Sequence, residues 1–280
     1  MRLRNRLLAA SLTLAAASVC FADVTGKVTL SGKAPAMPEL DMSGKPECAA
    51  IHLDPVKEDV VVVNDKGELA NVVISVKVDD PSLLGGEIPK EPAVLDQKGC
   101  MYEPHVLPMM VGQKLLIKSD DPFLHNVHSL AQTNPGFNFG QPNKDPGKEA
   151  PSPKAVENIK VKCDVHPWMG AWIIVMDHPF FATSKADGTF AIKGLPDGDY
   201  TFTAWHEKFG KQEAKGTVKG GNATVNFTFK AEGAMANPVE SSTAFVSTLE
   251  TTAPCCQGKT DATETKAAPT TQPVITAMAR

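Results

Sequence analysis

Along most of the chain, apolar and polar residues alternate with period two rather than at helical spacing. Val24, Gly26, Val28 and Leu30 alternate with Thr25, Lys27, Thr29 and Ser31, which predicts a half-buried strand. Residues 34–58 are rich in proline and small polar residues and read as loop. Val60-Val61-Val62-Val63 reads as a short, fully apolar strand before the turn Asn64-Asp65-Lys66-Gly67, and Val72, Ile74, Val76 and Val78 resume the alternation. After a Gly/Pro-rich crossing at 80–92, Leu115 and Ile117 mark a strand running into Asp120-Asp121-Pro122. Residues 132–154, dense in proline and charge, read as a long surface loop. Ile159, Val161 and Cys163 alternate with Lys160 and Lys162, and Trp172-Ile173-Ile174-Val175-Met176 reads as the returning strand. Ala186-Asp187-Gly188 and Leu195-Pro196-Asp197-Gly198-Asp199 are turns before the alternating sets Phe190, Ile192 and Tyr200, Phe202, Ala204; Ala223, Val225, Phe227 and Phe229 form a last strand. The expected fold class is all-β.

Both ends break the pattern. Arg2, Arg4 and Arg6, the apolar run Leu7–Val19 and Cys20-Phe21-Ala22 have the layout of a secretory signal over 1–22, with lipid anchoring at Cys20 as the alternative. The apolar run is too short to span a membrane. Residues 232–280, rich in Ala and Thr, are expected to be a disordered tail. Removing the signal takes three arginines and no acid, so the net charge goes from −4 to −7. That balance argues against nucleic acid and favours a basic protein partner.

The mature chain keeps Cys48, Cys100, Cys163, Cys255 and Cys256, an odd set that leaves one thiol unpaired in an oxidising compartment. Cys48 with Cys100 is the expected disulfide; pairing of Cys163 with either is the alternative. Metal ligation would protect Cys163. In Cys163-Asp164-Val165-His166-Pro167-Trp168-Met169 a thiol, an imidazole and a thioether follow one another at intervals of three, and His125 lies upstream in Phe123-Leu124-His125-Asn126-Val127-His128. His125, Cys163, His166 and Met169 make the ligand set of a mononuclear blue-copper site. Zinc is the competing metal, but a thioether argues against it; Met169 as plain core is the competing role. Cys163 is expected to end a strand, because Pro167 cannot donate to a ladder, and His166 and Met169 to lie on a loop folding back over it. Asn126 and Pro167 are expected beside the ligands. Phe123 and Trp168 are read as an apolar docking rim around His166, and the edge of His166 as the electron exit. His128, three residues after His125, should face away from the metal. His105, His178 and His206 with Glu207 are a candidate second site, with turn histidines as the alternative.

These two stretches resemble the cupredoxin (blue type 1 copper) family of the amicyanin/plastocyanin kind. Its pattern is Pro-His-Asn-Val-His followed by Cys-x-x-His-Pro-Phe-Met-Arg-Gly; here Leu124 replaces the proline and Gly170 follows Met169 directly. The resemblance implies a Greek-key β-sandwich over 95–176 that binds one copper. Segment 186–201 resembles the second half of carboxypeptidase-regulatory-like β-sandwiches, which begin with a strand like Gly26-Lys27-Val28-Thr29-Leu30-Ser31-Gly32. The implied arrangement is a discontinuous sandwich, 23–82 plus 177–231, with the copper domain inserted.

The expected function is a periplasmic one-electron carrier between a dehydrogenase and a c-type cytochrome. A copper-handling or copper-sensing attachment module is the alternative. An enzyme is not expected: the sequence has no His-x-His pair for a trinuclear copper centre and no recognisable Ser/His/Asp context.

Overall fold

The computed structural model of the protein describes residues 22–231 except 85, 220 and 221. The signal, the tail, Cys255 and Cys256 lie outside the described residues. Seventeen strands are described. In chain order they are β1 (Ala22–Ser31), β2 (Val73–Lys77), β3 (Ala93–Lys98), β4 (Met101–Glu103), β5 (Val106–Met110), β6 (Leu115–Ser119), β7 (His125–Ser129), β8 (Asn138–Gln141) and β9 (Asp145–Ala150). They continue with β10 (Glu157–Lys162), β11 (Gly170–Met176), β12 (Phe181–Thr183), β13 (Thr189–Leu195), β14 (Gly198–His206), β15 (Gly210–Val218), β16 (Asn222–Thr224) and β17 (Phe227–Lys230). One helical turn, α1, spans Pro46–Ala49.

The strands form two β-sandwiches, each around its own core. One stacks the sheet β5-β11-β10-β7-β8 on β4-β3-β6-β9. Leu95, Ile117 and Tyr102 from one sheet meet Met109, Val127, Val161 and Ile173 from the other. The other stacks β13-β1-β16, with β17 also on β1, against β12-β2-β14-β15. Its core joins Val28 and Phe229 to Ile74, Val76 and Phe202. This second sandwich therefore takes strands from both sides of the first in sequence.

Glycine decides one detail. The last alternating stretch, expected as one strand, is two: β1 pairs β16 through Asp23–Thr25 and β17 through Val28–Ser31. Between them Val225 passes so close that a Cβ on Gly26 would lie 1.7 Å from its carbonyl oxygen. Only a residue without Cβ fits there.

Two further expectations are corrected, and one long strand was not foreseen. The 132–154 loop contains strands β8 and β9. Each is the last strand of its sheet, where Pro146 and a run of exposed polar residues are tolerated because one edge needs no partner. Val60–Val63 is not a strand; only Val63 bridges, to Leu69. β15 went unread because its nine residues, GKQEAKGTV, carry just two buried apolar side chains, Ala214 and Val218. Within 34–58 the loop reading holds apart from α1 and a bridge between Glu39 and Lys57.

Candidate metal centre

Local sequence places the candidate ligands. β10 antiparallel to β11, from Glu157↔Val175 to Lys162↔Gly170, leaves 163–169 as the connection. Cys163 N–H donates to Met169 O (3.2 Å) and Met169 N–H to His166 O (3.0 Å), closing the loop on itself. His125 opens β7. Its strand is buried at His125, Val127 and Ser129 and open at Asn126 and His128, so the period of two turns His125 inward.

His125 Nδ1 lies 3.0 Å from His166 Nδ1, and Cys163 Sγ lies 3.6 Å from the same nitrogen of His166. The three donors fall within 4.8 Å of one another. His125 and His166 are 0% exposed, Met169 1% and Cys163 4%. Met169 belongs to the same buried cluster as Cys163. Cys163 is the free cysteine among the described residues, and Cys48 and Cys100 are disulfide-bonded.

Burial pushes the Cys163 thiol up, but His125, His166 and the backbone N–H groups of Val165 and Asn126 outweigh it and bring it down to about 6. The site thus favours a thiolate, the form that binds metal. Burial pulls His125 down, while Asp121 and Cys163 act the other way and leave it raised overall. Burial and the charges of Cys163 and Asp164 push the nearby Tyr102 phenol up; its hydroxyl donates to Asn126 O at 2.6 Å.

Asp121 was not singled out from sequence. His125 Nε2 lies 2.8 Å from Asp121 Oδ2, which fixes the ring so that Nδ1 faces Cys163 and His166. The carboxylate also accepts the N–H groups of Gly99 (2.9 Å) and Cys100 (2.9 Å). Burial raises its pKa, but these contacts lower it overall. The one available signal was its place four residues before His125. Asp121→Asn should lower metal affinity about 10–100-fold, read by competition with a chromophoric chelator; an unchanged affinity would show that Asp121 does not orient the ligand.

Of the other residues singled out, Asn126 Oδ1 accepts Asp164 N–H (3.1 Å), tying the His125 strand to the Cys163 loop. Pro167 is exposed. His128 faces outward and pairs with Asp164 at 3.0 Å. His166 has no surface edge. It is completely buried, with the Cys48 and Cys100 sulfurs within 4.8 Å of a ring nitrogen, so the expected exit through its own edge is corrected. Phe123 and Trp168 are half-buried: each packs on the core on one side and keeps part of its surface exposed. The ring centroid of Trp168 lies 5.3 Å from that of His166.

The second candidate site does not assemble. His105 pairs with Glu207 and, 3.0 Å away, with Asp59, using opposite ring nitrogens. His178 accepts Phe180 N–H (3.1 Å), and His206 packs at a tilt against Phe209 and accepts Lys208 N–H (3.1 Å). Two other metal-capable groupings, Cys48-Cys100-His166 and Cys100-Asp121-His125, contain disulfide sulfurs, which are not thiolate donors.

No protein-family model matches the chain, and no curated protein does. Among solved structures, a purple cupredoxin from Nitrosopumilus maritimus is 22% identical, with a TM-score of 0.26, over 30% of this chain and 99% of that one. An oxidised mutant of amicyanin is 18% identical, with a TM-score of 0.27, over 37% of this chain and 98% of that one. A Cu-containing nitrite reductase from Thermus scotoductus SA-01 is 20% identical, with a TM-score of 0.27, over 36% of this chain; the chain spans only 25% of that enzyme. Likenesses this low carry no weight for function, and they lend no support to the carboxypeptidase-regulatory-like resemblance.

Proposed function

We propose that this is a blue-copper protein that carries single electrons between protein partners. The observation behind this is the convergence of two imidazole Nδ1 atoms and one thiol sulfur in a water-excluded pocket that also holds Met169. Two nitrogens, one thiolate and a thioether suit copper; zinc sites favour N, thiolate and O donors. Copper bound there would supply the Cu(II)/Cu(I) couple.

The chain's own residues do the rest. Asp121 holds the His125 ring. The N–H groups of Asn126 and Val165 approach the Cys163 sulfur and draw electron density from it, a recognised lever on redox potential. Burial of all four ligand side chains excludes water and leaves a substrate no open approach, which favours a carrier over an enzyme. Electrons then leave through a packed side chain. Trp168, against His166 and lining a surface cavity of about 350 Å³ with Pro167, Met169 and Trp172, is that route.

The rest of the chain fits this reading. Residues 1–22 would export the protein to the periplasm. The domain division is 95–176 for the copper domain, with 23–82 and 177–231 forming a split sandwich that serves attachment, save that 38–58 packs on the copper domain, and 232–280 a tail. No described helix is long and apolar enough to cross a membrane. A net charge of −7 after export, derived from −4 for the whole chain, suits a basic partner such as a c-type cytochrome, or a periplasmic dehydrogenase with a basic face.

Titration with Cu(II) should end at one equivalent with an intense visible band. The Cu(I) form should reduce a basic c-type cytochrome in stopped flow, with the rate falling as salt rises. Protein that binds copper yet stays colourless in oxidising buffer would overturn the blue-copper reading. A blue protein with no transfer to any such cytochrome or dehydrogenase would favour copper handling or sensing.

A further inference from the structure

Residues 38–58 form a strap across the metal-bearing sandwich. Its ends are joined by Leu40 N–H to Val56 O (2.8 Å) and Glu58 N–H to Pro38 O (3.0 Å). Leu40, Met42, Cys48 and Val56 pack into the cluster that contains Cys163 and Met169. Two anchors hold the strap down: the Cys48–Cys100 disulfide, with both cysteines 0% exposed, and a contact of 2.8 Å from His52 Nε2 to Gly99 O. The disulfide sulfurs lie within 4.8 Å of a ring nitrogen of His166.

Cys100 also reaches both histidines. Gly99 (φ 63°) and Cys100 (φ 55°) are both left-handed, a conformation that is unfavourable for Cys100. It aims their consecutive N–H groups at the two oxygens of Asp121, an anion-holding nest, and Asp121 holds His125. On the other side Cys100 O accepts the indole N–H of Trp168 at 3.0 Å, and Trp168 packs on His166.

We propose that Cys100, tethered by Cys48, is the positioning residue of the metal centre, and that the strap is the cap shielding Cys163 from solvent. The positioning half rests on the copper reading above; the cap does not.

The cap is tested on the metal-free full chain by the rate at which iodoacetamide alkylates Cys163, followed by peptide mass spectrometry so that the other cysteines do not interfere. Cys48→Ala/Cys100→Ala should raise that rate about 10-fold or more, because local opening no longer has to break the tether. His52→Ala keeps the disulfide, loosens the second anchor and should raise it less; it decides the matter if the double variant does not fold. Phe202→Ala, a core truncation in the other sandwich, controls for general loss of stability and should stay within about twofold of the parent. A folded double variant, or failing it a folded His52→Ala, with the parental alkylation rate overturns the cap. For positioning, Trp168→Phe keeps an aromatic side chain and the disulfide but removes the bond to Cys100, and should shift the visible band and the potential of the copper form. An unchanged spectrum and potential in both Trp168→Phe and the folded double variant overturn positioning through Cys100. Parent protein that takes up no copper removes the functional reading and the positioning half with it, and the alkylation rates still decide the cap.

Discussion

Cys163→Ser is expected to abolish the visible charge-transfer band altogether and to weaken copper binding by more than the roughly 10–100-fold typical of losing a group that merely orients a ligand. The band needs a thiolate donor, and Cys163 is the free thiol among the described residues. A serine hydroxyl is a harder donor that stays protonated at neutral pH, so it replaces neither the charge nor the softness of sulfur. Removing the thiolate also removes one of the two groups that raise His125, so that only Asp121 remains to offset burial there. Absorption spectroscopy of the copper-loaded variant, with chelator competition for affinity, checks this. Differential melting of the metal-free forms shows whether the fold survives; burying a poorly paired hydroxyl costs about 1–3 kcal/mol. A surviving intense band would place the metal elsewhere.

The second large effect is on stability, where the two sandwiches meet. Val73, Val106 and Ile174 form a small apolar patch with Trp172 and Trp205 packed against it. Beside it, His105 of the sandwich that holds Cys163 lies between Asp59 and Glu207. Burial pulls His105 down, but the two carboxylates outweigh it and lift it to about 9. Glu207 is pushed up by burial and, more strongly, down by His105 and by the indole N–H of Trp172, 2.9 Å away. His105 is charged more readily in the folded than in the unfolded chain. Its contribution is therefore complete below about 6.5, its unfolded value, and is lost as pH rises through about 9. That difference corresponds to about 3 kcal/mol.

His206, the last residue of β14 and next to Glu207, works in the opposite sense. Burial drives it down to about 4, so folding is penalised as pH falls from 6.5 towards 4. Urea unfolding across pH should therefore show greatest stability near pH 6.5–7. His105→Gln should flatten the alkaline fall while lowering stability at pH 6.5 by about 3 kcal/mol, since two carboxylates then face each other without a cation. An alkaline limb identical in the variant would assign the pH dependence to other groups.

Two kinds of information were unequally visible in the chain. The turn between β10 and β11, the inward face of Cys163 and the loop carrying His166 and Met169 were legible because they are local. A period of two, one proline and a spacing of three fix them within about twenty residues. The strands of the second sandwich's core were legible for the same reason, except where polarity hid them. β8, β9 and β15 are edge strands whose exposed sides remove the alternation that marks a strand.

The surroundings of the site were not legible. Nothing periodic links His166 to the strap around Cys48, so its burial could not be foreseen. Asp121 looked like a turn residue until His125 was seen to use it, and His105 acquired its partners only where the two sandwiches meet. Residues close together in the chain were enough to dictate an all-β fold and to name the candidate donors, because near neighbours govern strand faces and ligand spacing. What covers, orients and couples those donors came only with folding. Such contacts join segments far apart in sequence, and burial and charge pairing arise only once the segments are packed.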